Sequence, residues 1–245
     1  MYNNNIKLLV SPKNIEEAKV TIDAGADYID CKNPEEGSLG ANFPWIINEM
    51  KNLIPENNKQ LLSAAIGDFP NLPGSASLAA FGAACSGADI IKVGLKGPRN
   101  KKEGIYLMKN VIKSVKKFNK EIIVVAAGYA DYSRMDEGLP FLAIPVIAAE
   151  SGANIAMLDT YIKDEKNLFD FLKVEDLVKF KDLASNYKVK TALAGRIKIE
   201  DIHKIKKIKP DIIGIRSAVC EGFDRNNGTI KYDLIKKLKK EISLI

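Results

Sequence analysis

The chain has 245 residues, of which 46% are apolar and 28% charged, and its net charge is +6. This length permits one large α/β barrel or two smaller domains, and the composition is that of a globular protein. No apolar run approaches the roughly 20 residues that cross a bilayer, and no secretory signal is visible, so we expect a cytoplasmic protein without a membrane partner. Cys31, Cys85 and Cys220 lack CxxC spacing, which argues for reduced thiols and against a structural zinc site.

Short apolar runs alternate with helical segments along the whole chain. We predict strands at residues 6–10, 28–32, 60–66, 89–94, 122–127, 154–159, 190–195 and 211–216. The segments between them include "NIEEAKVTIDAG", "SLAAFGAACSG", "FLAIPVIAAESG" and "VEDLVKFKDLASNY". Eight strands, each followed by a helix, predict a single (β/α)₈ TIM barrel over residues 1–245 with its active site at the C-terminal mouth. A doubly wound sheet is the alternative, but it would usually carry a Gly-rich motif after its first strand, and "LLVSPKN" is not one.

An internal repeat supports the barrel. The stretches "GADYIDCK", "GADIIKVG", "GANIAMLD" and, more faintly, "KPDIIGIR" begin at Gly25, Gly87, Gly152 and Lys209. The spacing corresponds to two βα units per copy, so the copies are strands 2, 4, 6 and 8. Because alternate strands of this fold contribute to the same interior layers, we expect matching positions of the copies to meet inside the barrel.

The two faces of these four strands differ in polarity. One face carries apolar or small residues, as expected beneath the helices. The other face carries polar residues at the strand ends: Asp30 and Lys32, Lys92 and Gly94, Asp159, Gly214 and Arg216. This face is predicted to point into the barrel at the C-terminal mouth, with Gly94 and Gly214 leaving room for a ligand. A structural network of ion pairs is the alternative explanation of these charges.

Two inward lysines have a specific chemical use. A lysine attacks a carbonyl only as the free amine, and both burial and a neighbouring ammonium lower its pKa. We therefore expect Lys32 or Lys92 to form a Schiff base with an aldehyde or ketone, while Asp30 and Asp159 hold charge or move protons. This chemistry needs no metal or cofactor. The single histidine, His203, lies in an apparent outer helix, so multi-histidine metal sites and histidine triads are excluded by count.

The loops after strands 7 and 8 suggest an anion site. In many phosphate-using barrels these loops bind the phosphate of the substrate. Gly195 would allow close backbone approach, Arg196 and Arg216 would supply charge, and Ser217 follows directly. The modest positive charge fits a small anionic substrate. We expect no nucleic-acid partner, because the sequence lacks the basic residues interleaved with aromatics that are typical of nucleic-acid-binding surfaces. A homo-oligomer is compatible with the sequence.

Several longer stretches resemble the (5-formylfuran-3-yl)methyl phosphate synthase family of methanofuran biosynthesis. They are "DCKNPEEGSLGANFPW", "GADIIKVGL", "VVAAGYAD", "AMLDTYIKD", "LFDF", "ALAGRIK" and "DRNNG", and the resemblance runs over residues 10–228. The resemblance implies a (β/α)₈ barrel that converts two molecules of glyceraldehyde 3-phosphate into a furan aldehyde phosphate, a lyase-type reaction that releases phosphate and water without a cofactor.

The resemblance also assigns roles to residues of this chain. It implies Lys32 as the lysine that forms the Schiff base and Lys92 as the proton acceptor, and it places Asp30, Asp159 and Lys163 among the catalytic residues. Lys163 rests on the resemblance alone. Two alternatives stay open at this point: a Schiff-base aldolase for another phosphorylated sugar, and a non-enzymatic barrel that binds a phosphorylated metabolite or RNA.

Overall fold

Eight parallel strands close into a barrel in sequence order, with the last strand paired to the first. The strands are Lys7–Val10 (β1), Tyr28–Cys31 (β2), Leu61–Ala65 (β3), Ile90–Gly94 (β4), Ile123–Tyr129 (β5), Ile155–Asp159 (β6), Lys190–Leu193 (β7) and Ile212–Ile215 (β8). The predicted barrel and its eight strands are confirmed. The clearest difference is in β5, which extends beyond its predicted end because Tyr129 still pairs with Asp159 of β6.

The computed structural model describes residues 6–243. Its α-helices are Ile15–Asp23 (α1), Pro44–Asn52 (α2), Pro73–Cys85 (α3), Lys101–Phe118 (α4), Ala143–Ser151 (α5), Leu168–Phe171 (α6), Val174–Asn186 (α7), Ile202–Ile208 (α8) and Tyr232–Ser243 (α9). Among these residues, no helix has the length and apolar character needed to pass through a bilayer. Local capping sets several helix starts: the side chain of Asn14 accepts from the Glu17 amide, and Asn100 accepts from the Glu103 amide.

The two faces of the strands pack into two separate layers. The face carrying Ile29, Ile91, Ala156 and Ile213 contributes to the apolar layer between the barrel and the helices. The opposite face lines the interior, where Ile90, Ile155 and Ile212 form an apolar floor. The predicted assignment of faces is therefore correct, and the polar ends of the interior face stand above an apolar floor at the C-terminal mouth.

The loop after β2 folds across this mouth. Leu39 is fully buried within the interior cluster of the barrel. Its amide donates to the Asp68 carboxylate at 3.1 Å, and its carbonyl accepts from the Gly67 amide at 2.9 Å. On the far side, the Ser38 hydroxyl donates to the Thr160 carbonyl at 2.9 Å. This segment, residues 37–40, covers the β3–β6 side of the mouth.

Gly94 is required by the packing beneath this segment. The Tyr129 hydroxyl donates to the Asp68 carboxylate directly beside Gly94. A Cβ at position 94 would overlap the Asp68 carboxylate and lie 2.8 Å from the Tyr129 hydroxyl oxygen. The glycine therefore makes room for an internal hydrogen bond, and the expectation that it leaves space for a ligand is wrong.

We predict that Gly94→Ala destabilises the barrel by about 1–3 kcal/mol, because the added methyl forces apart the partly buried hydrogen-bonded pair of Tyr129 and Asp68. Urea denaturation measures the change in the free energy of unfolding. Gly82→Ala is the matched control: no atom lies within 4 Å of a Cβ built there, and in the middle of α3 alanine should stabilise by roughly 0.5–1 kcal/mol. A Gly94→Ala protein as stable as the wild type would contradict this account of the glycine.

Candidate active site

Four ionisable side chains meet inside the barrel at its C-terminal mouth. Asp30 and Lys32 come from the end of β2, Lys92 from β4 and Asp159 from β6. All four are buried. They belong to the same face of alternate strands, as the repeat predicted, and the apolar floor lies below them. The structure therefore brings together the four residues that the sequence pattern selected.

Asp30 and Lys92 form a buried ion pair. Lys92 Nζ lies 2.5 Å from Asp30 Oδ1, and each side chain is only 1% exposed. The second carboxylate oxygen, Oδ2, accepts from the Ser11 hydroxyl at 2.8 Å. A charge removed from water this completely needs such a partner, since the unpaired charge would be strongly destabilising. The charge of Lys92 is thus compensated by a carboxylate in direct contact.

Lys32 is in a different situation, although it is also buried. Among residues 6–243, no carboxylate oxygen lies within 4.0 Å of its Nζ. Burial lowers the pKa of Lys32 to about 8; the carboxylates of Asp159 and Asp30 oppose this shift, and the ammonium groups of Lys163 and Lys92 add to it. At pH 7 about a tenth of Lys32 is therefore the free amine, which is the nucleophilic form, whereas a lysine with the usual pKa of about 10.4 would have fewer than about one molecule in a thousand in this form.

Asp159 has the opposite electrostatic environment. Its Oδ1 accepts from Lys163 Nζ at 2.8 Å and from the Thr160 amide at 2.7 Å. Burial alone would raise the pKa of Asp159, but Lys163, Lys32 and these hydrogen bonds together lower it to about 2. Asp159 is therefore a carboxylate throughout the physiological pH range. Lys163, which sequence patterns alone did not single out, is held at the mouth by this ion pair and by the Thr160 carbonyl at 2.5 Å.

A cavity opens beside Lys32 on the side of the mouth that residues 37–40 leave uncovered. Its ionisable lining residues are Asp30, Lys32, Asp159, Lys163, Arg196, Arg216 and Arg225. Gly214 also lines it, but a Cβ at that position would lie 3.1 Å from Ala194 Cβ, so this glycine serves close packing of β8 as well as space. Lys92 is not among the lining residues, because it lies behind Asp30.

The loop after β7 forms one wall of the cavity. Gly195 has φ +105°, and a Cβ there would come within 2.9 Å of Thr160. Arg196 follows with φ 51°. Its Nη1 donates to the Asp164 carbonyl at 2.9 Å, and its Nη2 lies 2.6 Å from a carboxylate oxygen of the highly exposed Glu165. Gly195 and Arg196 therefore reach the mouth as predicted. Within residues 6–243, the acid that contacts the Arg196 guanidinium is the solvent-exposed Glu165.

Arg216 also reaches the cavity, but its guanidinium is already engaged. Its Nη1 lies 2.7 Å from Glu17 Oε2, and its Nε donates to the Arg225 carbonyl at 2.9 Å. The ion pair is largely buried, with 9% and 5% of the two side chains exposed. Arg216 was predicted to supply charge to a ligand phosphate, but its guanidinium instead connects α1 to the loop after β8. Ser217 is buried at the start of a short 3₁₀ turn beside it.

Several residues that shape this site could not be selected from strand patterns in the sequence. Arg225 lines the cavity from the motif "DRNNG", which was noticed only as part of a resemblance. Tyr129 is a buried phenol whose pKa is raised well above its usual value by burial and by the Asp68 carboxylate, so it remains a hydrogen-bond donor. Among residues 6–243, no cluster of three or more His, Cys, Asp or Glu side chains is arranged to hold a metal ion.

Comparison with known proteins identifies the family of this chain. The family model described as 4-HFC-P synthase matches residues 8–239. The (5-formylfuran-3-yl)methyl phosphate synthase of Methanocaldococcus jannaschii is 54% identical over 233 residues, which is 95% of this chain and 98% of that protein. The protein of the same name from Methanothermobacter thermautotrophicus is 51% identical, over 95% of this chain and 97% of its own.

Solved structures share the fold at low sequence identity. KGPDC from Streptococcus mutans superposes with a TM-score of 0.65 at 13% identity, covering 98% of both chains. A 3-hexulose-6-phosphate synthase gives a TM-score of 0.66 at 15% identity, over 96% of this chain and 99% of the other. These likenesses establish the barrel, whereas the match over nearly the whole sequence establishes the family: the chain belongs to the 4-HFC-P synthase family.

Proposed function

We propose that this chain condenses two molecules of glyceraldehyde 3-phosphate into (5-formylfuran-3-yl)methyl phosphate through a Schiff base on Lys32. The observation that carries the proposal is the state of Lys32: a buried amine with a pKa of about 8 and no contacting carboxylate, on the wall of a cationic cavity. The family supports the choice of substrate and product, since the relatives described above are named for this product.

The first step joins Lys32 to the carbonyl carbon of one triose. The neutral amine attacks that carbon, and the resulting carbinolamine loses water to give an iminium. The positive nitrogen acidifies the adjacent C–H bond. When this proton leaves, the C–H electron pair becomes the double bond of an enamine, and the iminium nitrogen becomes neutral. Asp159, ionised beside Lys32, stabilises the positive iminium.

The Asp30–Lys92 pair is suited to receive the proton. Asp30 lines the cavity, whereas Lys92 contacts Asp30 from behind. A proton removed from the substrate carbon therefore meets the carboxylate first, and Lys92 acts through it. The family resemblance implies that Lys92 accepts the proton, and this arrangement supports a role for Lys92 in proton transfer. Asp30, however, is the group that contacts the substrate.

Two steps must then follow, in either order. One breaks the C–O bond to the phosphate of the triose on Lys32, which releases inorganic phosphate and leaves a conjugated iminium, and the other forms a C–C bond by attack of the nucleophilic carbon of the enamine on the aldehyde carbon of the second triose. Ring closure through a hydroxyl, loss of water and hydrolysis of the imine then yield the aromatic furan and free Lys32. Gly195, Arg196 and Ser217, with Arg216 in the wall behind them, are proposed to hold the phosphate of the bound triose.

The product distinguishes this function from the aldolase alternative. We expect the protein, incubated with glyceraldehyde 3-phosphate as the sole organic substrate, to release inorganic phosphate and to develop furan absorbance. Lys32→Ala is the control and should produce neither. Formation of a simple aldol adduct without furan would instead favour a general Schiff-base aldolase, and no turnover of any triose would refute an enzymatic role in this reaction.

Trapping tests the assignment of the two lysines. Borohydride added with glyceraldehyde 3-phosphate should leave a stable mass increase on the peptide that contains Lys32. The free-amine fraction grows as the pH rises through about 8, so trapping should increase over that range. Lys32→Arg keeps a charge but has no free amine near neutral pH, so it should abolish trapping and turnover.

Lys92→Ala should behave differently from Lys32→Arg. It removes one ammonium and leaves the Asp30 carboxylate uncompensated, and both changes raise the pKa of Lys32. Trapping on Lys32 should therefore survive but move to higher pH, while furan formation fails. An adduct on Lys92, together with turnover by Lys32→Arg, would reverse the assignment.

A further inference from the structure

Arg225 is a cation that the proposed chemistry has not yet used. Its side chain is half-buried and lines both the cavity at Lys32 and an adjoining groove. Burial lowers the pKa of Arg225; Asp159 opposes this shift, and Arg216 and Arg196 add to it. Among residues 6–243, no carboxylate oxygen lies within 4.0 Å of its guanidinium. A partly desolvated guanidinium in such surroundings favours the binding of an anion.

The backbone that carries Arg225 is shaped by a turn of its own. The Asp224 carboxylate accepts from the amides of Asn226 and Asn227 at 2.8 and 3.1 Å, and the Asp224 carbonyl accepts from the Gly228 amide at 3.0 Å. Position 228 has no room for a side chain, because a Cβ would overlap the carbonyls of Glu221 and Asp224. The turn therefore presents Arg225 in a fixed direction.

A buried carboxylate connects this turn to the loop after β1. Glu17, on α1, accepts from the Lys13 amide at 2.8 Å and from Arg216 Nη1 at 2.7 Å, and a further bond joins it to the Ile230 amide at 3.4 Å. Arg216 in turn donates to the Arg225 carbonyl. Glu17 therefore positions Lys13 and Arg225 relative to each other, although 212 residues separate them in the sequence, from 13 to 225.

The groove between these loops has a volume of about 510 Å³ and adjoins the cavity at Lys32, since Arg216 and Arg225 line both. Lys13 and Asn14 form one wall, Asn33 and Glu35 form the second, and Arg225 and Asn226 form the third. Lys13 Nζ reaches to 3.5 Å from the Asn226 carbonyl, and no carboxylate oxygen of residues 6–243 lies within 4.0 Å of it. Glu35 is the acid in this lining, and the charge of Arg216 is already balanced by Glu17, so Lys13 and Arg225 leave two cations against one anion.

We propose that this groove is a second phosphate-monoester subsite, in which Arg225 and Lys13 hold the phosphate of the triose that arrives second. Arg225 stands between the groove and the cavity that contains Gly195, Arg196 and Ser217. The aldehyde of a triose anchored in the groove would be directed toward the enamine on Lys32. The inference rests on the proposed function, which requires two phosphorylated substrates in one mouth.

Two readouts separate the subsites. The glyceraldehyde 3-phosphate concentration that half-saturates borohydride trapping on Lys32 measures binding of the first triose. The concentration that half-saturates furan formation depends on binding of both trioses. Arg225→Ala should need about ten-fold or more glyceraldehyde 3-phosphate for furan formation, while trapping changes less than about two-fold. Lys13→Ala should act in the same direction but less strongly, and Arg225→Lys should restore part of the loss. Lys101→Ala, an exposed lysine at the start of α4, is the control and should match the wild type.

Calorimetric titration with inorganic phosphate tests the groove without turnover. We expect two sites per chain in the wild type and one in the Lys13→Ala, Arg225→Ala double variant. Two results would overturn the subsite. If the variants raise the half-saturating concentrations for trapping and for furan formation equally, Arg225 and Lys13 serve the first triose. If neither concentration changes, the groove binds no phosphate. If the wild type binds two phosphates yet forms no furan, the proposed function fails and the subsite stands.

Discussion

The site depends on an asymmetry between two buried lysines. Lys92 has a carboxylate in direct contact, whereas Lys32 has its nearest acids at a greater distance and is surrounded by further positive charge. Because burial disfavours an ammonium unless a partner compensates it, the same interior accommodates Lys92 in an ion pair and favours loss of the proton from Lys32. Lys32 thereby gains nucleophilicity, and Lys92 with Asp30 gains the capacity to move a proton. The proposed chemistry follows from this division.

The surrounding structure shapes the mouth with two further carboxylates, of which Asp68 is half-buried and Glu17 is buried. Asp68 fixes Leu39 and accepts from Tyr129, so that residues 37–40 cover the β3–β6 side of the mouth. Glu17 binds Arg216 and organises the loops on the open side. Neither carboxylate takes part in the proposed chemistry. Asp68 holds the loop that covers one side of the mouth, and Glu17 holds the loops around the side that is open to substrate.

Much of this arrangement could be predicted from the sequence because it follows from strand periodicity. The repeat located four strands, and the alternation of side chains identified Asp30, Lys32, Lys92 and Asp159 as inward residues. These statements need only local geometry and the symmetry of the barrel. The same reasoning predicted that Arg216 reaches the mouth, but it could not reveal that Glu17 engages the guanidinium, since that contact joins residues 199 positions apart.

Loop conformations were beyond such reasoning for a physical reason. Gly94 was predicted to leave space for a ligand, but side-chain atoms of Asp68 and Tyr129 fill that space. Asp68 lies in the loop after β3, and Tyr129 is the last residue of β5. Arg225 carries no periodic signal, because a turn stabilised by Asp224 and Gly228 sets its direction. Leu39 resembles any apolar loop residue until the loop is seen to fold into the barrel.

The titration of Lys32 in the free protein tests the central claim most directly. Lysine labelled with ¹³C at Cε gives an NMR signal that shifts when the amine loses its proton, and Lys32→Arg identifies the signal by its disappearance. The account predicts that Lys32 titrates near pH 8. Titration near the usual lysine value of about 10.4 would contradict it, because Lys32 would then be almost entirely an ammonium at neutral pH and unable to attack a carbonyl.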